Sequence, residues 1–150
     1  MSRLRKTDSE AGFTMIELLV VMLILGILAS IAIPLFFGQR GRAYDAQAKS
    51  TANSAAMAME ACGNDHNGYD ESACDVEGLH AIEPTLPDGP PLTVNPEGTG
   101  YRIDVEALNT ENVFSIVRTP GGGVTYPCSV ASSEPGGCEL TEGSAGVWRR

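Results

Sequence analysis

The uncharged run over residues 18–37, led by a single acid at Glu17, constrains this chain more than any other feature. Residues 12–34 read GFTMIELLVVMLILGILASIAIP. A helix rising ~1.5 Å per residue over such a run is long enough to cross a hydrocarbon core of ~30 Å. The run therefore predicts a membrane-spanning helix. A carboxylate in or at the edge of that span is costly, about 2.5 to 3.5 kcal/mol at the bilayer centre on insertion scales, and such a group is by default a functional candidate. Glu17 requires a cationic partner.

A short leader with Arg3, Arg5 and Lys6, followed by Gly12, Phe13, Glu17, Gly26 and Pro34, resembles the amino end of the type IV pilins and of the related pseudopilins of type II secretion. The match covers the whole junction and span, with Met15 where leucine is usual. The resemblance implies cleavage after Gly12 by a prepilin peptidase, which as a methyltransferase also modifies the new Phe13 amine. It further implies polymerisation of many copies, with Glu17 meeting the Phe13 amine of a neighbour. The implied partners are further copies of this chain, the peptidase, an inner-membrane assembly platform with its ATPase, and the membrane itself. Two plainer readings compete. A secretory signal peptide has an apolar region of about 7 to 15 residues, shorter than this run, and Pro34 closely follows the small-residue site at Ser30, Ile31 and Ala32. A simple anchor explains the hydrophobicity but neither the junction nor Glu17. The mature amino end separates the three as Phe13, Ile33 and Met1.

Beyond the anchor, 150 residues leave room for one modest domain. So small a domain buries a limited share of its surface, and covalent staples help it. Cys62, Cys74, Cys128 and Cys138 permit three pairings; we expect the sequential one, in an oxidising compartment. Each loop of about a dozen residues then contributes about 3 kcal/mol by the chain-entropy model. A zinc site with His66 or His80 lacks any closely spaced cysteine pair. Basic residues do not orient the span, because Arg3, Arg5 and Lys6 before it face Arg40, Arg42 and Lys49 after it. The distal cysteines and the pilin resemblance place the amino end inside and the head outside, first as a cytoplasmic-membrane precursor and then as an extracellular filament.

Net charge is −9, and loss of residues 1–12, with three basic side chains against Asp8 and Glu10, makes it one unit more negative. Nucleic-acid binding through cation-driven counterion release is not expected of such a surface. Arg149 and Arg150 read as solvated terminal charges.

After Pro34 the helical pattern continues. Tyr44, Ala48, Ala52, Ala55, Met59 and Cys62 recur at spacings of three and four, while Arg42, Asp45, Lys49, Asn53 and Glu60 are expected largely on the other side. Small residues on the buried stripe let a sheet approach closely. The combined helix would extend ~73 Å at ~1.5 Å per residue, serving as anchor and spine. Pro34 removes the hydrogen bond to the Ser30 carbonyl, and Gly26 is a second weak point. The family resemblance implies that residues 26–35 unwind in the assembled subunit; a helix that merely bends in both states remains the alternative.

Residues 63–100 are rich in turn formers. A short helix over residues 76–82 with Asp75 as its cap is expected there. The acids Asp65, Asp70, Glu71 and Asp75 lack the spacing of a standard calcium loop, so no metal site is assigned. Alternation over residues 101–107, Phe114 with Ile116, and Val124, Tyr126 and Cys128 predicts three antiparallel strands, with turns at 109–112 and 120–123. Val147 and Trp148 are expected to dock the tail. The fold class is α+β, a pilin fold divided as 1–12 leader, 13–37 transmembrane and assembly helix, 38–62 amphipathic helix, and 63–150 loop and sheet head with two disulfides.

No catalytic constellation is present: His66 and His80 lie in a polar loop without a recognisable nucleophile context, and neither an enzyme nor a cofactor is expected. The leading expectation is a structural subunit of a type IV pilus-like filament. A pseudopilin of type II secretion and a membrane-tethered binding module are its alternatives.

Overall fold

The computed structural model describes residues 12–131 and 133–149. The leader cations Arg3, Arg5 and Lys6 and the terminal Arg150 lie outside the described residues. One helix, α1 (Met15–His66), runs through both of the chain's compact units, residues 1–37 and 38–150.

In the first unit the large apolar side chains from Met15 to Ile33, and Phe36, are exposed. The helix is long and apolar enough to cross a membrane, and none of its apolar window is buried within the protein. A continuous helix suits that setting, because lipid offers no partner for a backbone N–H or C=O and the helix satisfies them internally.

In the second unit α1 turns its alanine stripe inward. Ala48, Ala52, Ala55, Met59 and Cys62 are buried as the spacing predicts, and Tyr44 is half-buried at the start of the stripe. One expectation fails: Asp45, assigned to the polar face, is fully buried. It stands three residues before Ala48, on the same side of the helix, and partners from the sheet end of the head satisfy its carboxylate there.

The short helix α2 (Val76–Ile82) begins where expected, with the Asp75 carboxylate accepting the Gly78 N–H at 2.8 Å. It buries Leu79. The disulfides join Cys62 to Cys74 and Cys128 to Cys138, closing sequence separations of 12 and 10.

The sheet is larger than the three-stranded meander expected from the sequence. It contains β1 (Leu92–Glu97), β2 (Gly100–Glu106), β3 (Val113–Arg118), β4 (Val124–Thr125), β5 (Pro127–Ser129), β6 (Cys138–Glu142) and β7 (Ala145–Trp148). Their order is β1-β2-β3-β5-β7-β6, every pairing is antiparallel, and β4 pairs with the end of β3. The predicted first and second strands are β2 and β3, with Ile103 opposite Ile116 and Val105 opposite Phe114 on the core side. The predicted third strand is interrupted at Tyr126 into β4 and β5. β1 escaped notice because Asn95 and Pro96 interrupt its pattern; the structure accepts Pro96 because β1 is an edge strand. β6 and β7 form a hairpin through Gly143 at φ 58°, inside a stretch expected to be loop and tail.

Trp148 docks as expected, buried against Phe114 and Tyr126 and donating its indole N–H to the Ser115 carbonyl at 3.0 Å. Val147 does not. Strand alternation turns it to the opposite, exposed face.

Candidate functional site

Thr14 sets the start of α1. Its hydroxyl accepts the Glu17 backbone N–H at 3.2 Å, and its carbonyl accepts the Leu18 N–H at 3.2 Å. This is one arm of a capping box, whose signature is Thr-x-x-Glu. Thr14 went unassigned in the sequence because the charge of Glu17 dominated the reading; the cap spacing was the available signal. The cap holds Phe13 just outside the helix and Glu17 in its first turn, where an acid complements the positive end of the helix dipole. Both side chains are exposed, Phe13 by 79%.

Gly26 and Pro34 are both helical here. A Cβ at Gly26 would meet nothing within 4 Å, so packing inside this subunit does not require glycine at that position. Just before Pro34, the Ser30 hydroxyl donates to the Ile27 carbonyl at 2.7 Å. Such back-bonding loosens a helix locally.

Two polar clusters that the sequence did not reveal fix the head. Around Asp45, Thr110 Oγ1 donates to one carboxylate oxygen at 2.6 Å and Asn112 Nδ2 approaches both, while also donating to the Glu134 carbonyl at 3.0 Å. Lys49 donates to the Gly136 carbonyl at 2.7 Å and lies 4.8 Å from the Phe114 ring centroid. Burial lowers the Lys49 pKa from its ordinary value, and Asp45 opposes that shift. Gly136, at φ 56°, passes so close to the Asp45 carboxylate that a Cβ would collide with it. The cluster thus binds the helix, the β2–β3 turn and the loop before β6 together.

Around Glu60, one carboxylate oxygen accepts from Tyr101 at 2.9 Å and Arg118 at 2.7 Å, and the other from Tyr69 at 3.0 Å. Burial, and then the bond to Glu60, raise the pKa values of both tyrosines, that of Tyr101 well above its ordinary 10.0. The folded state therefore holds the Tyr101 proton beyond the pH at which the unfolded chain releases it. Its contribution to stability is complete below pH ~10 and is lost as pH rises through the raised value. Alkaline titration followed by phenolate absorbance should show a late component that Tyr101→Phe removes; an unchanged curve would contradict this.

The remaining candidates are structural. All four cysteines are in disulfides. Asp75 caps α2, and Asp70 accepts from the Ser72 N–H and hydroxyl, which hold its pKa below the usual value. Among the described residues no group of three or more His, Cys, Asp or Glu converges as a metal cage. His80 Nδ1 lies 2.7 Å from the Leu86 carbonyl oxygen and 3.0 Å from Asp88, and Arg149 pairs with Glu139 at 2.9 Å.

Residues 8–33 match the model of the prokaryotic N-terminal methylation motif. The likeness extends past that motif. The chain is 31% identical over 145 residues to type II secretion system core protein G of Escherichia coli (strain K12), covering 97% of this chain and 95% of the relative. The chain belongs to the type IV pilin and pseudopilin family. A second pseudopilin relative, type II secretion system core protein G of Pectobacterium carotovorum subsp. carotovorum, is 30% identical over 141 residues, covering 93% of this chain and 85% of the relative. No solved structure matches. The long amino-terminal helix packed in its second half on an antiparallel sheet is the pilin architecture, and the membrane-anchored precursor follows from family and helix together.

Proposed function

We propose that this protein is the core pseudopilin of a type II secretion apparatus. One observation supports that reading above all: the likeness to core protein G spans both anchor and head, whereas the methylation motif belongs to the wider family. The surface-pilus reading shares the anchor, but the head favours the secretion alternative. In this function the precursor sits with its amino end in the cytoplasm, loses residues 1–12, and is drawn by the assembly platform and its ATPase into a filament through residues 13–37. Its activity is polymerisation, not catalysis. Glu17 pairs with the Phe13 ammonium of a neighbour, which cancels two charges that apolar surroundings penalise.

Deleting the gene should abolish release of the organism's type II substrates into the medium, with restoration by the full chain. Secretion that persists while surface filaments disappear from electron micrographs would instead identify a pilus subunit.

A further inference from the structure

We propose that residues 134–137 form a strap, latched by the Lys49 ammonium, that opens and closes on its own while the sheet stays folded. The device belongs to the head alone and stands apart from the polymer reading above.

Glu134, Pro135 and Gly137 are exposed, and Gly136 is half-buried. Burial of apolar side chains therefore does not hold this stretch. Polar bonds do: the Asn112 amide donates to the Glu134 carbonyl at 3.0 Å, and the Lys49 ammonium donates to the Gly136 carbonyl at 2.7 Å. The pair of Glu134 with Arg42, 3.6 Å apart, joins two exposed side chains and contributes little. Segments with so few buried apolar contacts are the ones that open locally at low free energy. Gly136 at φ 56° and Gly137 at φ 81° occupy conformations that glycine adopts at little cost. Such a pair can absorb the dihedral change of a hinge. The far end is fixed, because the next residue, Cys138, is buried and bonded to Cys128.

Lys49 is the latch because the strap lies directly on it: a Cβ at Gly137 would come within 2.7 Å of its ammonium. The ammonium is held there 4.8 Å from the Phe114 ring centroid and 5.9 Å from that of Trp148. Burial strips part of its hydration, which is why its pKa is lowered. Opening returns the ammonium to water and also admits water to the Asp45 carboxylate, which Gly136 otherwise covers. The closed state thus gains a charge-assisted hydrogen bond and gives up hydration of two charged groups, terms that oppose each other. Between the strap and Arg42 a hollow of ≈ 330 Å³ leaves room for the movement. With the strap open, Asp45 keeps its bonds to Thr110 and Asn112. The strap therefore sets whether the head grips residues 42–49 of α1 from two sides or from one.

Amide hydrogen exchange of the detergent-solubilised full chain, followed by NMR in increasing urea, tests this. The Cys138 N–H donates to the Pro135 carbonyl at 2.8 Å and reports closure of the strap, while amides of the β2–β3 ladder report the sheet. In the wild-type chain the Cys138 amide should exchange faster than the ladder, at a rate nearly independent of urea, because local opening exposes little surface. Lys49→Met keeps an apolar stem but no charge; it should speed Cys138 exchange at least about tenfold and leave the ladder within about twofold. Lys49→Arg, which keeps a charged donor, should lie nearer the wild type. A Cys138 amide that shares the urea dependence of the ladder would show that the strap opens only with the sheet, and the proposal fails. It fails equally if Lys49→Met accelerates Cys138 and ladder alike or accelerates neither, or if Lys49→Arg matches Lys49→Met.

Discussion

Replacing Glu17 by glutamine abolishes the filament while the protein still inserts into the membrane and forms both disulfides: that is the expected result of the most consequential single change. Glutamine keeps the size and hydrogen-bonding capacity of the side chain but not its charge. In the polymer the Phe13 ammonium of a neighbour would then be left uncompensated among apolar side chains. Removing one partner of a buried ion pair costs about 3 to 5 kcal/mol. Since 1.4 kcal/mol is tenfold in an equilibrium constant, each subunit contact weakens by at least about a hundredfold. The monomer is spared, because Glu17 is exposed in the first turn of α1 and the Thr14 cap uses its backbone N–H, which the substitution retains. Shearing or crosslinking of cells, with membrane fractionation as control, measures the effect. Normal filaments from the glutamine variant would remove Glu17 from assembly.

The second large effect lies in the head. Asp45→Ala should lower stability by about 3 kcal/mol, because Thr110 and Asn112 lose a buried carboxylate acceptor and a cavity forms beside Gly136. For a domain of this size the shift in melting temperature is on the order of 10 °C or more. The detergent-solubilised full chain, followed by circular dichroism, provides the measurement. Asp45→Asn is the informative comparison. It keeps the shape but sets a second amide against the Asn112 Nδ2 donor, so a smaller loss is expected. A melting temperature within a degree or two of wild type for the alanine variant would show that the cluster does not tie the helix to the two loops.

The two effects separate along the chain in the same way as legibility does. Residues 12–34 spoke clearly because a helix long and apolar enough to cross a membrane, the methylation motif and its lone acid are local patterns, set by composition and spacing alone. The alanine stripe from Ala48 to Cys62 and the Asp75 cap were equally legible, since helical period and capping chemistry act over a few residues. β2 appeared as clean alternation because one of its faces lies in the core, and β3 was marked by Phe114 and Ile116 on that same side, although Ser115 between them is buried too. β1, β6 and β7 gave no such signal. β1 carries Pro96 at an edge, β6 is exposed at every position but Cys138, and β7 has four residues of which one is Gly146, so their identity depends on which strand lies beside them.

Asp45 marks the same boundary. Its sequence neighbours place it at the margin between a polar face and a buried stripe, and a carboxylate by default goes to water. Only Thr110, Asn112 and the loop at Gly136, far away in sequence, make burial tolerable by supplying donors and a side chain small enough to approach.

The amino-acid order alone therefore determined the apolar helix, the methylation motif over residues 8–33, the acid in the first turn of α1 and the helix face that meets the sheet, because each depends on residues within a turn or two of one another. Tertiary structure decided the strand order, the buried carboxylate of Asp45 and the cluster of Tyr69, Tyr101 and Arg118 around Glu60. Those depend on segments dozens of residues apart being brought into contact, and the free energy of such contacts is not written in any local pattern.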